Sequence, residues 1–162
     1  MVCLGGKVAG CNIEMHDIRF VIGEKIEDTY NQLKQQWCGE KANLHMDSFL
    51  TVTAIDGYNV QLVETPPVQS DKKLYFVNLG AYYPTHIMEQ HSFDLIVASD
   101  PNEAKEIAKS RAPKDVDKVH KDRLMEVDDL IQLTLIENHY IHLTYTGNNQ
   151  TMHPQWYGYQ LL

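Results

Sequence analysis

Cysteine is scarce in this sequence of 162 residues. The three cysteines, Cys3, Cys11 and Cys38, all lie in the first quarter of the chain, and none belongs to a CxxC pair. An odd number of cysteines without metal-ligand spacing is typical of an intracellular protein with reduced thiols. We therefore expect reduced, mostly buried thiols, and the pattern argues against a disulfide framework.

Basic residues are also few. The chain has 14 lysines and arginines against 22 acidic residues, which gives a formal net charge of −8. The lysines and arginines form no cluster along the chain. Because an acidic surface repels phosphate backbones and anionic lipids, we expect no nucleic acid and no membrane among the partners.

Long apolar runs are missing as well. No window approaches the roughly 18 consecutive apolar residues of a membrane-spanning helix. The start of the chain, MVCLGGKVAG, lacks the basic region and the apolar segment of a signal peptide. With 43% hydrophobic and 22% charged residues, the composition is that of a globular protein, so the sequence predicts a cytoplasmic one.

The chain contains an internal repeat. Shifting the sequence by 75 residues aligns positions 2–52 with 77–127 without a gap, and nine residues are identical where average composition gives roughly three. A six-residue insertion, which we place near DDLIQLT, then changes the offset to 81, so that IDGYNVQL lies over IENHYIHL. We interpret the repeat as a duplication that forms a pseudo-twofold pair.

Each copy has the same order of predicted elements. A short β-rich run (VCLG, KLYFVNLG) is followed by a loop and a second β-rich run (DIRFVIG, FDLIVAS). The spacing of Ile26, Tyr30, Leu33 and Trp37 predicts an amphipathic helix over KIEDTYNQLKQQW. In the second copy, the dipeptide DP before NEAKEIAKSRA is a helix start signal.

A hairpin is predicted to close each copy. Asp56-Gly57 is a favoured two-residue hairpin turn, and we expect Asn138-His139 to take the same role in the second copy. The pattern is therefore ββαββ twice. One helix per four strands can cover one face of an antiparallel sheet, so the predicted fold class is α+β. The predicted boundaries are 1–65 for the first repeat, 66–73 for a linker, 74–146 for the second repeat and 147–162 for a C-terminal aromatic arm, all within one compact domain.

The C-terminal arm, GNNQTMHPQWYGYQLL, has no counterpart in the first copy. Its aromatic and leucine side chains are too apolar to remain free in water. Two arrangements are open: the arm packs on the core of its own chain, or it contacts another subunit of a homo-oligomer.

Histidines and carboxylates that recur in both copies are the candidate site. Glu14 and His16 precede the second strand as E-x-H, and His45 and Asp47 begin the third as H-x-D. Residues two apart on extended backbone point to the same face. If the two strand starts are neighbours, each copy gathers two imidazoles and two carboxylates at one place. At an offset of 75, the second set is Glu89, His91, His120 and Asp122.

Three interpretations of these clusters are open. In the first, the histidines hydrogen-bond to carboxylates or backbone and fasten the loops at the strand ends, which suits a device kept in both copies. In the second, the clusters are ligand sets for a divalent metal such as Zn, Mn or Fe. In the third, a His–Asp pair activates water, a substrate or Cys11 without a metal. The glycines after the first strand of each copy, Gly5 and Gly80, are expected to allow a tight turn.

Several segments together resemble a bacterial family of small, uncharacterised proteins with a conserved domain of unknown function. They are LGG, NIEMHDIRFVIG, LHMDSFLTVTAIDGY, YFVNLGAYYPTHIMEQH and VHKDRL, and the similarity covers roughly positions 2–145. The resemblance implies a bacterial cytoplasmic protein and agrees with a duplicated α/β organisation. Because the family has no established activity, it transfers no catalytic residues. Gly80-Ala81 stands where the first copy has Gly5-Gly6, which weakens a shared ligand-binding role for the two glycine pairs.

The sequence therefore predicts a structural or small-ligand-binding protein whose clusters order the loops at the strand ends, without a required cofactor. The alternative is a metal-dependent, hydrolase-like enzyme that uses one or both clusters. Whether the protein is an enzyme is left open, and no catalytic residue is assigned.

Overall fold

The computed structural model describes residues 1–67, 71–112 and 125–162, with the backbone alone for residues 125–129. The strands are β1 (Val2–Gly6), β2 (Met15–Arg19), β3 (His45–Phe49), β4 (Ala54–Ile55), β5 (Gly57–Val63), β6 (Lys73–Ala81), β7 (Gln90–Ala98), β8 (Met125–Leu133), β9 (Leu135–Ile136), β10 (His139–Asn148) and β11 (Trp156–Leu161). The helices are α1 (Tyr30–Gln36) and α2 (Pro101–Arg111), with 3₁₀ turns at Ile26–Thr29 and Lys41–Asn43. All strand pairs described are antiparallel, which confirms the predicted α+β class.

The chain divides into two compact units. The first comprises Met1–Val52 together with Thr151–Leu162, and the second comprises Thr53–Gln150. The hairpin of the first copy, β4–β5, thus belongs to the second unit, because β5 pairs there with β10. The repeat and linker boundaries drawn from the duplication stay a prediction about the sequence.

A four-stranded sheet in the order β11-β3-β1-β2 forms the first unit. In its core, Leu4 of β1 and Met46 of β3 pack with Leu33 of α1 and with Trp37, and all four side chains are buried. The C-terminal arm forms β11, which pairs with β3 at the edge of the sheet. Most of the arm, residues 151–162, is therefore part of the first unit, whereas residues 147–150 belong to the second.

The first helix is shorter than the spacing predicts. Residues 26–29 form a 3₁₀ turn in which the Thr29 hydroxyl donates a hydrogen bond to the carbonyl oxygen of Ile26, and α1 begins only at Tyr30. Side chains that bond back to the chain favour helix ends over helix interiors, which explains the late start. The predicted apolar face is confirmed, because Leu33 and Trp37 are buried and Ile26 and Tyr30 pack against them.

In the second unit, the three-stranded sheet β7-β6-β8 packs one face on α2. The helix begins as predicted, with Pro101 in its first turn. The Asp100 carboxylate accepts hydrogen bonds from the backbone N–H groups of Asn102 and Glu103 at 2.8 and 3.0 Å. Small residues, Ala104 and Ala108, let the helix lie close to the sheet.

The two copies meet in the sheet β4-β5-β10-β9 of the second unit. Strands β5 and β10 pair antiparallel, and Gln61 lies opposite His142, its equivalent at the offset of 81. Leu62 lies opposite Ile141, and Val60 lies opposite Leu143. At the offset of 81, Val60 corresponds to Ile141 and Leu62 corresponds to Leu143, so the twofold exchanges these two pairs. This register has local twofold symmetry about Gln61 and His142 and so confirms the pseudo-twofold duplication.

Both hairpin turns use residues with positive φ. Asp56 and Gly57 form the first turn as predicted, with φ of 52° and 86°. The second turn is different from the predicted one, because Glu137 has φ of 54° and His139 already pairs with Ile136. The turn residues are 137 and 138, which match 56 and 57 at the offset of 81.

The strand registers also correct the place of the six-residue insertion. In the first copy, Gly5 pairs with His45. Gly80, the equivalent of Gly5, pairs with Glu126, and a bulge follows each pair at the same position. The third strands of the two copies therefore correspond at an offset of 81, so the insertion precedes β8 instead of lying within it.

Candidate functional site

Gly5 is the backbone centre of the candidate site in the first unit. In the strand registers it lies opposite His16 of β2 on one side and opposite His45 of β3 on the other. A Cβ atom on residue 5 would lie 2.5 Å from Nε2 of His45 and 2.9 Å from Oε1 of Glu14. The expectation that Gly5 allows a tight turn is wrong, since it lies within β1 and leaves space for the histidine and the carboxylate.

His45 is the most deeply buried member of the cluster, with 3% of its surface exposed. Its Nδ1 donates a hydrogen bond to the carbonyl oxygen of Asn43 at 3.0 Å. Its Nε2 lies 2.8 Å from Oε1 of Glu14 and 3.3 Å from Oδ1 of Asp47. The ring stacks on Tyr159 of β11 with 4.1 Å between centroids.

Asp47 joins the two histidines. It follows His45 in β3 at the point where the register with β1 shifts, and such a bulge re-aims a side chain. The second carboxylate oxygen, Oδ2, lies 3.3 Å from Nε2 of His16 and 3.9 Å from Sγ of Cys3. The structure thus brings together the four residues predicted for the first copy, Glu14, His16, His45 and Asp47.

The two ring nitrogens of His45 face different partners. Nδ1 donates its hydrogen to the carbonyl oxygen of Asn43, whereas Nε2 faces the carboxylates of Glu14 and Asp47. The imidazole is therefore held in one orientation by the backbone on one side and lies against two carboxylates on the other.

Cys3 lies beside the cluster but is poorly suited to react. Its burial, together with the nearby charge of Asp47 and its hydrogen bond to that carboxylate, raises the pKa of the Cys3 thiol to about 11. A thiol with such a pKa is protonated at neutral pH and is a poor nucleophile. Cys11 and Cys38 are exposed, so the expectation of mostly buried thiols is wrong, although all three are free.

A half-open cleft of about 320 Å³ lies directly against the cluster. Glu14 and His45 form its polar wall, and Tyr159 and Ile13 add apolar surface. The remaining lining residues are Gly6, Lys7, Cys11, Asn12 and Asn43. The sequence pattern did not indicate Asn43 or Tyr159, because neither recurs in the second copy.

In the second copy, a smaller set of contacts is described. Nε2 of His91 lies 3.7 Å from Oε2 of Glu89, and its Nδ1 lies 3.1 Å from the amide oxygen of Asn78. Tyr82 donates its hydroxyl hydrogen to Glu89 at 3.1 Å. His91 pairs with Gly80 as His16 pairs with Gly5, so the predicted equivalence of the two histidines is confirmed.

The other two members of the second cluster, His120 and Asp122, lie outside the described residues, and their part in a site stays a prediction. At the offset of 81, the backbone positions that correspond to His45 and Asp47 are 126 and 128 of β8. Residue 126 is a glutamate, where the first copy has His45.

Within the described residues, no three His, Cys, Asp or Glu side chains are arranged to hold a metal ion. Among the helices described, none is long and apolar enough to cross a membrane.

Fold and site together define a duplicated α+β protein whose two copies have diverged at the candidate site. The chain belongs to the family described as Domain of Unknown Function (DUF1543), which matches residues 11–62 and 86–143, one segment in each copy. This confirms the resemblance found in the sequence.

A solved structure shares the fold. The chain is similar to the one described as "Crystal structure of a protein Il1583 from Idiomarina loihiensis", with 36% sequence identity and a TM-score of 0.78 over 98% of this chain and 92% of that chain. No curated protein matches the chain.

Proposed function

We propose that the protein binds a small polar molecule in the cleft of the first unit, with Glu14 and His45 as its recognition wall. The observation that carries this proposal is that the most buried polar side chain of the cluster, His45, lines the cleft and is held from both ring nitrogens. Polar groups fixed in this way at the wall of a concave site give a ligand orientation and specificity.

The cleft volume limits the size of the ligand. At about 320 Å³, the cleft lies at the low end of the range for small-molecule sites, which begins near 300 Å³. A metabolite of the size of an amino acid or a nucleoside fits such a volume better than a dinucleotide. The half-exposed Glu14 carboxylate favours a ligand that donates hydrogen bonds.

The same contacts give the cluster a structural role. Glu14 ends the loop between β1 and β2, and its carboxylate meets the imidazole of β3. His45 in turn is fixed by Asn43 in the segment that leads into β3. Loop ordering therefore supports ligand binding here, because it holds the cleft wall in one arrangement before a ligand arrives.

Asn12→Ala tests this proposal, with Asn102→Ala as its matched control. Asn12 lines the cleft, whereas Asn102 is exposed on α2. A panel of amino acids, nucleosides and hydroxy acids is screened by thermal shift, and binders are titrated by calorimetry. We expect a binder whose affinity falls at least about tenfold in Asn12→Ala and is unchanged in Asn102→Ala, which corresponds to about 1.4 kcal/mol. A panel without a binder, or a binder affected equally by both variants, contradicts the proposal.

A divalent metal is the second candidate ligand, and the tautomer of His45 favours it. Metal-ligating histidines commonly donate the other ring N–H to a backbone carbonyl, as Nδ1 of His45 does to Asn43. The candidate ligands from the described part of the chain are Glu14, His16, His45 and Asp47, with Glu89 and His91 in the second copy. Since their present arrangement is not that of a metal-binding group, side-chain shifts would accompany binding.

The metal content of the purified protein tests whether a divalent metal is the ligand. Untagged protein, purified without chelator, is analysed by mass spectrometry as wild type, His16→Ala and the control His153→Ala, both histidines being exposed. We expect near-stoichiometric Zn, Mn or Fe that is lost in His16→Ala and kept in His153→Ala. Protein free of these metals, or metal lost equally in both variants, overturns the metal candidate and leaves the organic ligand untouched.

A further inference from the structure

Among the described residues, the outer side of β11 is an unpaired sheet edge that the duplication does not explain. The sheet of the first unit has the order β11-β3-β1-β2, whereas the second copy's sheet has the order β7-β6-β8. Strands β1, β2 and β3 correspond to β6, β7 and β8, so β11 is an addition to one copy. Within the described residues, β3 is its sole strand partner, and its other side is unpaired.

The sequence of this edge carries no charge or proline that opposes pairing, although a register shift between Tyr157 and Gln160 interrupts its ladder with β3. Edge strands of monomeric proteins usually carry charges, proline, bulges or inward-pointing ionic groups. β2, at the opposite edge of the same sheet, follows that rule with the ion pair of Asp17 and Arg19. β11 reads WYGYQL, without charge or proline, and Tyr157 is 80% exposed.

We propose that a second copy of this chain pairs with β11, through an antiparallel β11–β11 contact about a twofold axis. In such a contact the same strand serves both partners, so no other surface needs to be complementary. The net charge of −8 makes two copies repel one another at most places on their surfaces. β11 is a six-residue stretch where that repulsion is locally absent and where exposed aromatic side chains can be buried.

The contact has a distinctive dependence on salt. Screening of the acidic surfaces weakens the repulsion between the copies but does not weaken backbone hydrogen bonds or apolar burial. The dimer should therefore become tighter as salt increases, whereas a contact made by ion pairs becomes weaker. Because a six-residue ladder buries less than the about 1,600 Å² of a typical stable interface, we expect a weak dimer that depends on protein concentration.

Sedimentation velocity over a concentration series, at low and high salt, tests this proposal with the full chain. Tyr157→Lys places a charge on the open edge, and Ile87→Lys is the matched control, since Ile87 is fully exposed in the loop between β6 and β7. We expect a dimer in the wild type and in Ile87→Lys, strengthened by salt, and a monomer in Tyr157→Lys.

Three results would overturn the proposal. One is a wild type that stays monomeric at every concentration. Another is a dimer that survives Tyr157→Lys, which would place the interface elsewhere. The third is an open series of larger species, because a twofold contact closes at two copies.

Discussion

The imidazole of His45 occupies the space that a side chain on Gly5 would fill. The two residues face each other across β1 and β3, and Glu14 shares the same space. Glycine at position 5 is therefore required by packing against the cluster. This relationship ties the sequence of the first strand to the geometry of the proposed binding cleft.

Gly5→Ala should displace His45 and destabilise the first unit. The added methyl group overpacks the site, and overpacking typically costs about 1–3 kcal/mol of unfolding free energy, which urea denaturation measures. The double variant Gly5→Ala/His45→Ala should lose less than the sum of the two single variants, since the clash disappears with the imidazole. Additive losses would show that the two residues do not compete for space.

His45→Ala and His91→Ala should have unequal effects on stability. His45 is buried with both ring nitrogens paired, so its removal leaves polar groups unsatisfied and should cost about 1–3 kcal/mol. His91 is exposed, and its removal should change stability by no more than about 0.5 kcal/mol. Thermal and urea denaturation compare the two variants, and equal losses would argue against a special role for the first copy.

Thiol labelling should separate Cys3 from the other cysteines. At pH 8, the exposed Cys11 and Cys38 should react with a disulfide reagent in the folded protein, and Cys3 should react only on unfolding, because its pKa is raised to about 11. Mass spectrometry after alkylation locates the labelled residues. Fast labelling of Cys3 in the folded state would contradict the described burial.

The same thiol gives a pH dependence of stability. Since the pKa of Cys3 is higher in the folded chain than in the unfolded one, its contribution to stability is present below the unfolded value and is lost as the pH rises towards about 11. The urea midpoint should therefore fall between about pH 9 and pH 11, and fall less in Cys3→Ala. An identical fall in the variant would assign it to other groups.

Arg111 connects the first-copy hairpin to the second copy within the second unit. Its guanidinium bonds Asp56 at 2.6 Å and Asp94 at 3.1 Å. Burial lowers the pKa of Arg111, but the two carboxylates raise it by more, so its pKa lies above the usual value. For Asp94, burial raises the pKa although Arg111 opposes it. Asp56 lies closer to the guanidinium than Asp94 does and has the larger effect on the pKa of Arg111.

Asp56→Asn should accordingly cost more than Asp94→Asn, by about 0.5–1 kcal/mol. Asparagine tolerates the positive φ at position 56, so the variant tests the charge without disturbing the turn. Lys109→Ala, which removes an exposed pair with Glu106, is the control and should be nearly neutral. Urea denaturation of the four proteins gives the comparison, and a costlier Asp94→Asn would reverse the assignment.

Much of the architecture follows from local sequence. The Asp100-Pro101 helix start, the Asp56-Gly57 turn and the apolar face of Leu33 and Trp37 depend on neighbours in the chain, and the structure confirms all three. The equivalence of His16 and His91 also follows, because no insertion separates the aligned segments there.

The rest depends on pairing between distant strands, which a sequence offset cannot fix. His45 and His120 align by identity, but strand register matches His45 to residue 126, because the insertion precedes β8. The packing role of Gly5 could not be predicted for the same reason, since the imidazole beside it belongs to a residue 40 positions further along the chain. Tyr159 reaches the cleft only because the C-terminal arm adds a strand beside β3.

The most direct test of the proposed cleft is a two-dimensional ¹H–¹⁵N NMR titration of the wild-type chain with a binder from the small-molecule panel. The proposal predicts that the amide shifts concentrate at Gly6, Asn12, Asn43 and Tyr159 of the first unit. The duplication supplies an internal control, because Ala81 and Ile87 hold the places of Gly6 and Asn12 in the second copy and should not shift. Shifts at Ala81 and Ile87 instead, or shifts spread over both copies, would contradict a binding site in the first copy.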